Sequence, residues 1–220
     1  MRHTASTNYR AAAGLVLVAL GLTACGADFA PGGLTRKQQA RLALAAHYTQ
    51  AFGMNTSTLA PFPPGYEDDV REMLARDWEI EGATPDERHA KAIERMDGLV
   101  EEGHRGYADF VAQAEAAIPD PEARQRGLLA WDFSRLVLLA RSCYFVGYID
   151  EATAWSYIDK AAQGVAGRFT TWREYGMGFL AVREIWAGEK DPDMIRAVNR
   201  LLDRKDLDWH RFTLAEATGP

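Results

Sequence analysis

Cysteine is scarce in this sequence of 220 residues, which contains only Cys25 and Cys143. The metalloprotease pattern HExxH, the thiol pair CxxC, the hydrolase pattern GxSxG and the dinucleotide-binding pattern GxGxxG are all missing. The five histidines are dispersed, so no metal site is indicated. These absences argue against the common enzyme classes, and we predict no cofactor.

Clusters of basic residues are missing as well. The chain carries 25 lysines and arginines against 31 acidic residues, which gives a formal net charge of −6. Binding to nucleic acid or to an anionic lipid surface needs clustered Lys and Arg that contact phosphates. We therefore predict no nucleic-acid partner, and charge alone does not bring this chain to a membrane.

Alternation of apolar and polar residues, the pattern of a half-buried strand, does not occur over any convincing length. Apolar residues instead recur every three or four positions, which indicates helices. With 47% hydrophobic and 25% charged residues, the length suits one globular domain. We predict an all-α fold, a single compact domain of about seven or eight helices around a central apolar helix near 122–146. Cys143 lies in that helix, where we expect a buried structural thiol.

Helix start and stop signals divide the chain. Thr84 with Glu87 and Thr171 with Glu174 match the capping-box pattern, and Asp150 is a predicted N-cap. The periodicity predicts helices over 35–52, 67–78, 84–102, 107–118, 122–146, 150–168, 171–186 and 191–202. The tail after Arg204 is weakly specified.

The first 24 residues form a leader. Arg2 and Arg10 give it a positive start, and the apolar run Ala11–Ala24 is shorter than the roughly 20 apolar residues of a transmembrane helix. Such a segment is typical of a signal peptide. Its end, Leu22-Thr23-Ala24-Cys25, resembles the lipobox of bacterial lipoproteins, which implies cleavage before Cys25 and acylation of its thiol with diacylglycerol. The alternative is an ordinary secretory signal, in which Cys25 is only a small residue near the cleavage site.

The chain is then predicted to divide into the leader 1–24, an acylated cysteine with a flexible tether over 25–34, and the all-α domain 35–220. The lipoprotein resemblance implies a bacterial cell-envelope protein whose partner is the membrane, reached through the lipid anchor. Because Gly26 rather than Asp follows the cysteine, the resemblance favours the outer membrane, facing the periplasm, if the organism is Gram-negative. With Cys25 acylated, Cys143 has no partner for an intrachain disulfide.

Several short motifs follow one another in the helical region. They are Trp78-Glu79-Ile80, Gly103-His104-Arg105, Ala130-Trp131-Asp132 with Arg135 and Arg141, Gly147-Tyr148-Ile149 with Glu151, Ala154-Trp155, Thr171-Trp172, and Arg183 with Trp186. Their order and spacing, over about 74–202, resemble the bacterial domain of unknown function numbered 1266. The resemblance implies an α-helical domain and carries no established activity. Where that family tends to have Gly-Arg before its last tryptophan, this chain has Val182-Arg183, which argues against a close backbone approach there.

Polar residues inside apolar helices are the candidates for a functional site. Asp132 and Arg135 are one helical turn apart and can pair on one face. If His104 and Arg183 converge with them, this polar cluster would combine a group that titrates near neutral pH, a carboxylate and two cations for an anionic ligand. The candidate ligand-binding residues beside it are Arg105, Trp131 and Trp186. We favour the interpretation that the polar cluster is a satisfied network fixing helix register, and that the aromatic residues are core.

The sequence supports two main functional hypotheses. The first is a lipid-anchored envelope protein that acts as a helical module binding an unidentified envelope protein, because the leader addresses it to the envelope and catalytic motifs are missing. The alternative is an enzyme, or a receptor for a small anionic ligand, that uses the polar cluster. A third hypothesis is an immunity-type protein that blocks a toxin in the envelope.

Overall fold

The computed structural model describes residues 33–101 and 108–219, and these ranges contain α-helices and no β-strand. The helices are α1 (Arg36–Leu42), α2 (Ala46–Phe52), α3 (Glu67–Trp78), α4 (Pro85–Glu101), α5 (Ala108–Ala117), α6 (Pro121–Phe145), α7 (Glu151–Val165), α8 (Trp172–Ala187), α9 (Pro192–Asp203), α10 (Asp208–Arg211) and α11 (Leu214–Thr218). The predicted all-α single compact domain is confirmed.

The long helix α6 lies at the centre of the domain. The Asp120 carboxylate accepts a hydrogen bond from the Glu122 N–H at 3.1 Å, and Pro121 occupies the first turn. Every residue from Ala130 to Cys143 is buried, so other elements cover this helix on all sides. Helices α7 and α8 make the most extensive contacts with it. As predicted, Cys143 is buried, and burial raises the pKa of its thiol.

Helices α6 and α8 approach closely at a pair of glycines. A Cβ atom on Gly127 would lie 2.8 Å from Val182 Cγ2 and 3.0 Å from the Gly178 carbonyl oxygen. A Cβ atom on Gly178 would lie 3.2 Å from Gly127 Cα. At position 182 the side chain of valine packs against Gly127. The close backbone approach occurs one turn earlier, at Gly178.

The predicted first helix, 35–52, is divided. A 3-10 turn over Ala43–Ala45 separates α1 from α2. The Ala43 carbonyl accepts a hydrogen bond from Trp209 Nε1 at 2.9 Å, and the Leu44 carbonyl accepts one from the Tyr175 hydroxyl at 2.8 Å. Distant side chains thus donate to two carbonyls at the break, so tertiary contacts stabilise it.

The tail after Arg204, whose sequence carries only weak helix signals, is helical and packs against the first helix of the domain. Thr213 and Glu216 form a capping box that starts α11. Arg36 of α1 donates hydrogen bonds to the Glu216 carboxylate and to the Arg211 carbonyl, both at 2.8 Å. Trp209 and Phe212 are buried. The two ends of the described chain therefore pack against each other.

No helix within 33–101 and 108–219 combines the length and the hydropathy that crossing a bilayer requires.

Candidate functional site: a buried polar cluster beside the tryptophans

Asp132 and Arg135 pair on α6 as their spacing predicted. Arg135 Nη2 donates to Asp132 Oδ1 at 2.9 Å, and their side chains are only 10% and 4% exposed. A charge in such a position is costly unless an opposite charge and hydrogen bonds compensate it. The pair is therefore a compensated ion pair in the interior.

Arg135 also makes cation–π contacts with two tryptophans. Its Cζ lies 3.4 Å from the Trp131 ring centroid and 5.6 Å from that of Trp78, at the end of α3. The Arg135 Nε is buried and has no hydrogen-bond partner within the protein. Cation–π contacts of this kind stabilise a desolvated guanidinium. They join α3 to α6, and Trp78 stays partly exposed at the edge of the contact.

The two candidate ligand-binding tryptophans contact each other. The ring centroids of Trp131 and Trp186 are 5.0 Å apart, and Phe110 of α5 lies 5.0 Å from the first ring and 5.2 Å from the second. Trp131 is 2% exposed, so it belongs to the core, whereas Trp186 is partly buried. The three rings anchor α5 and α8 to the central helix.

Arg183 has a different carboxylate partner. Its Nη2 donates to Asp191 Oδ2, and the other oxygen of Asp191 accepts the N–H groups of Asp193 and Met194 at the start of α9, both at 3.0 Å. Burial raises the pKa of Asp191, but the hydrogen bonds from Met194 and Arg183 outweigh it and hold the pKa below its ordinary value. The Arg183–Asp191 pair links α8 to α9 and is separate from the pair on α6.

Tyr48 and His47, which no sequence pattern indicated, lie within electrostatic reach of Arg183. Tyr48 is buried, which raises its pKa, while the charges of Arg183 and Arg135 lower it. The phenol is therefore within electrostatic reach of both arginines. The sequence signal is weak: His47 and Tyr48 follow the apolar run Leu42–Ala46, and only the structure shows that Ala40–Thr49 is buried throughout.

His47 is fully buried among aromatic rings. Its ring centroid lies 3.9 Å from that of Phe179 and 4.6 Å from that of Tyr48, and neither ring nitrogen has a hydrogen-bond partner within the protein. Burial, and then the charge of Arg183, lower the pKa of His47 from 6.5 to about 3. His47 is therefore neutral at physiological pH.

The remaining predicted site residues, Cys25, His104 and Arg105, lie outside the described residues. Within 33–101 and 108–219, no three His, Cys, Asp or Glu side chains come together in a way that suits a metal ion. In this part of the chain the polar cluster consists of two ion pairs whose charges compensate each other, while Arg135 Nε and Arg183 Nε have no hydrogen-bond partner within the protein.

Comparison with known proteins places the helical region in a family. No curated protein and no solved structure matches the chain. The family model described as "Protein of unknown function (DUF1266)" matches residues 73–214. The match includes both ion pairs and all the tryptophans from Trp78 to Trp209, whereas His47 and Tyr48 precede it. Since the matched range is more than half of the chain, this protein belongs to the DUF1266 family.

Proposed function

We propose that this protein is a lipid-anchored helical module of the bacterial cell envelope and that it acts by binding a protein partner. The observation that carries the binding role is the internal pairing of the candidate polar residues. Asp132 is bonded to Arg135, and Arg183 is bonded to Asp191. The first pair lies within α6 and the second joins α8 to α9, so these four charges are engaged inside the fold, which favours the outer surface as the binding site.

The anchor is supported by the leader. A positive start, an apolar run and Leu22-Thr23-Ala24-Cys25 stand in the order that a lipoprotein signal requires. About ten residues separate Cys25 from the start of α1, and an extended chain of that length spans at most about 35 Å. A diacylglycerol on Cys25 would therefore hold the domain close to the membrane surface.

The described surface suits a transient partner. Met177 of α8, which is 49% exposed, is the only large hydrophobic residue that is exposed, rather than partly or fully buried, in the described ranges. Obligate interfaces are more hydrophobic than the described surface of this protein, whereas non-obligate interfaces are about as polar as the rest of a protein surface. We expect a partner that binds reversibly through mixed polar contacts.

The anchor is tested by the intact mass of the protein extracted from membranes, beside a Cys25→Ser variant. We expect the wild type to carry the mass of a diacylglycerol-type modification and to fractionate with the envelope, and the variant to lose both properties. An unmodified wild type in the soluble fraction would remove the anchor from the proposal.

The binding role is tested by chemical cross-linking in intact envelopes, followed by capture of the tagged protein. We expect one envelope protein to be enriched reproducibly. An excess of the untagged domain, residues 33–220, should abolish that enrichment by competition. If the enriched proteins vary between preparations, or if the free domain does not compete, the binding role is wrong.

A second function, an enzyme or a receptor for a small anionic ligand, is favoured by one observation. The Arg135 Nε has no partner within the protein, and the guanidinium lies beside the partly exposed Trp78. Thermal-shift titration with phosphate and short carboxylates tests it, because a ligand held there should raise the Tm of the wild type and not that of an Arg135→Lys variant. An equal shift in both proteins would exclude this site.

A further inference from the structure

Arg141, near the end of α6, is a further buried arginine, and its hydrogen bonds go to residues outside the polar cluster. Its exposed fraction is 0%. Its Nε donates to the Leu59 carbonyl at 3.2 Å, and its Nη2 donates to the carbonyls of Asn55 and Thr58. All three acceptors belong to the proline-rich loop between α2 and α3. The guanidinium therefore fastens this loop to the central helix.

The positive charge of Arg141 lacks a direct counter-charge. Within the described residues, no carboxylate oxygen lies within 4.0 Å of its guanidinium. Asp208 acts on it electrostatically, but this carboxylate is 3.6 Å from Arg211. Burial lowers the pKa of Arg141 to about 10, so the group stays charged at neutral pH. A buried cation of this kind requires compensation that carbonyl dipoles supply only in part.

Two donors at this place have no acceptor within the protein. They are Arg141 Nη1 and the Asn55 side-chain nitrogen Nδ2, both buried. The orientation of the Asn55 amide is fixed, because its Oδ1 accepts the Ser57 N–H at 2.7 Å and the Ser57 hydroxyl at 2.9 Å. Nδ2 is therefore a true donor. The two residues are in direct contact through the hydrogen bond from Arg141 Nη2 to the Asn55 carbonyl.

We propose that Arg141 and Asn55 bind one small monovalent anion, of the size and chemistry of chloride, beneath this loop. Such an ion accepts N–H groups from both side chains and supplies the counter-charge that the guanidinium lacks. A water molecule would accept the hydrogen bonds but leave the charge in place. A phosphate is too highly charged for a site that rests on one cation. The bound ion would connect the loop to α6 and stabilise the fold.

The first test is thermal unfolding of the all-α domain, residues 35–220, in sodium chloride and in sodium gluconate of equal ionic strength. Gluconate is too large for the site, so the comparison separates ion binding from screening. We expect chloride to raise Tm relative to gluconate, by about 5 °C once its concentration is about 100 times its Kd. Equal Tm values in the two salts would overturn the proposal and leave water as the acceptor.

Variants and crystals locate the site. Asn55→Ala removes one donor and should lose most of the difference between chloride and gluconate. Ser57→Ala is the matched control, because it removes a hydroxyl that contacts the same amide and leaves Nδ2 in place. Crystals grown in bromide should show an anomalous peak in contact with Arg141 Nη1, and this measurement does not depend on how the variants fold. An unchanged chloride effect in Asn55→Ala, or a bromide crystal without that peak, would also overturn the assignment.

Discussion

His47 is a neutral imidazole among aromatic rings, with no hydrogen bond to either ring nitrogen within the protein. Its pKa is about 3 in the folded protein and 6.5 when unperturbed. Between these values the unfolded chain binds the proton and the folded protein does not, so this contribution to stability is lost as pH falls below 6.5. We expect His47 to make the free energy of unfolding about 2 kcal/mol lower at pH 5 than at pH 8.

Chemical denaturation at the two pH values measures this difference. A His47→Leu variant, with an apolar side chain of similar size, should lose that part of the pH dependence. The exposed His210, whose Nε2 lies 2.9 Å from the Leu202 carbonyl oxygen, provides the control variant His210→Gln, which should retain it. If His47→Leu keeps the full pH dependence of the wild type, His47 is not its source.

Asp191 acts at the junction of two elements, since it caps α9 and pairs with Arg183 of α8. Asp191→Ala should lower the free energy of unfolding by about 2–4 kcal/mol, because it removes the cap and leaves a buried guanidinium unpaired. Asp191→Asn retains a capping oxygen and loses only the charge, so its cost should be smaller. Urea unfolding of both variants separates the two contributions. Equal costs would mean that the cap contributes nothing, and an Asp191→Asn variant as stable as the wild type would mean that the ion pair contributes nothing.

Gly127 lies where α6 and α8 are closest. Gly127→Ala should destabilise the protein by about 1–3 kcal/mol, because the added methyl would meet Val182 Cγ2 and the Gly178 carbonyl oxygen. The matched control is Gly98→Ala within α4, where an added Cβ meets nothing within 4 Å. That substitution should stabilise by up to about 1 kcal/mol. If both glycines respond alike in thermal unfolding, the close approach of α6 and α8 does not govern stability.

Elements with local signals could be predicted from the sequence, and elements that depend on distant partners could not. The N-caps Asp150 and Thr171 accept the hydrogen bonds that their patterns indicated, and the i, i+3 spacing of Asp132 and Arg135 was enough to predict their pair. The break at Ala43–Ala45 depends on donors 131 or more residues away in the chain, so no local pattern indicates it. The partner of Arg183 lies beyond a helix end, which periodicity does not reveal.

At the scale of the whole molecule, the C-terminal helix packs on the helix that follows the predicted tether. Leu214 and Ala217 of α11 are buried, while the bond between Glu216 and Arg36 is on the surface. Burial of apolar area stabilises more than an exposed ion pair, whose attraction water screens. We therefore expect truncation after Phe212 to lower Tm clearly, and Glu216→Gln, which keeps the buried residues, to have a much smaller effect.

Thermal unfolding compares the two changes, and hydrogen exchange shows where the loss occurs. In the truncated protein, amide protection should fall first in α1, which contacts α11 directly. That outcome would mean that the tail stabilises α1, the first helix of the described chain. Unchanged protection in α1 after truncation would show that α1 is held by α7 and the core alone.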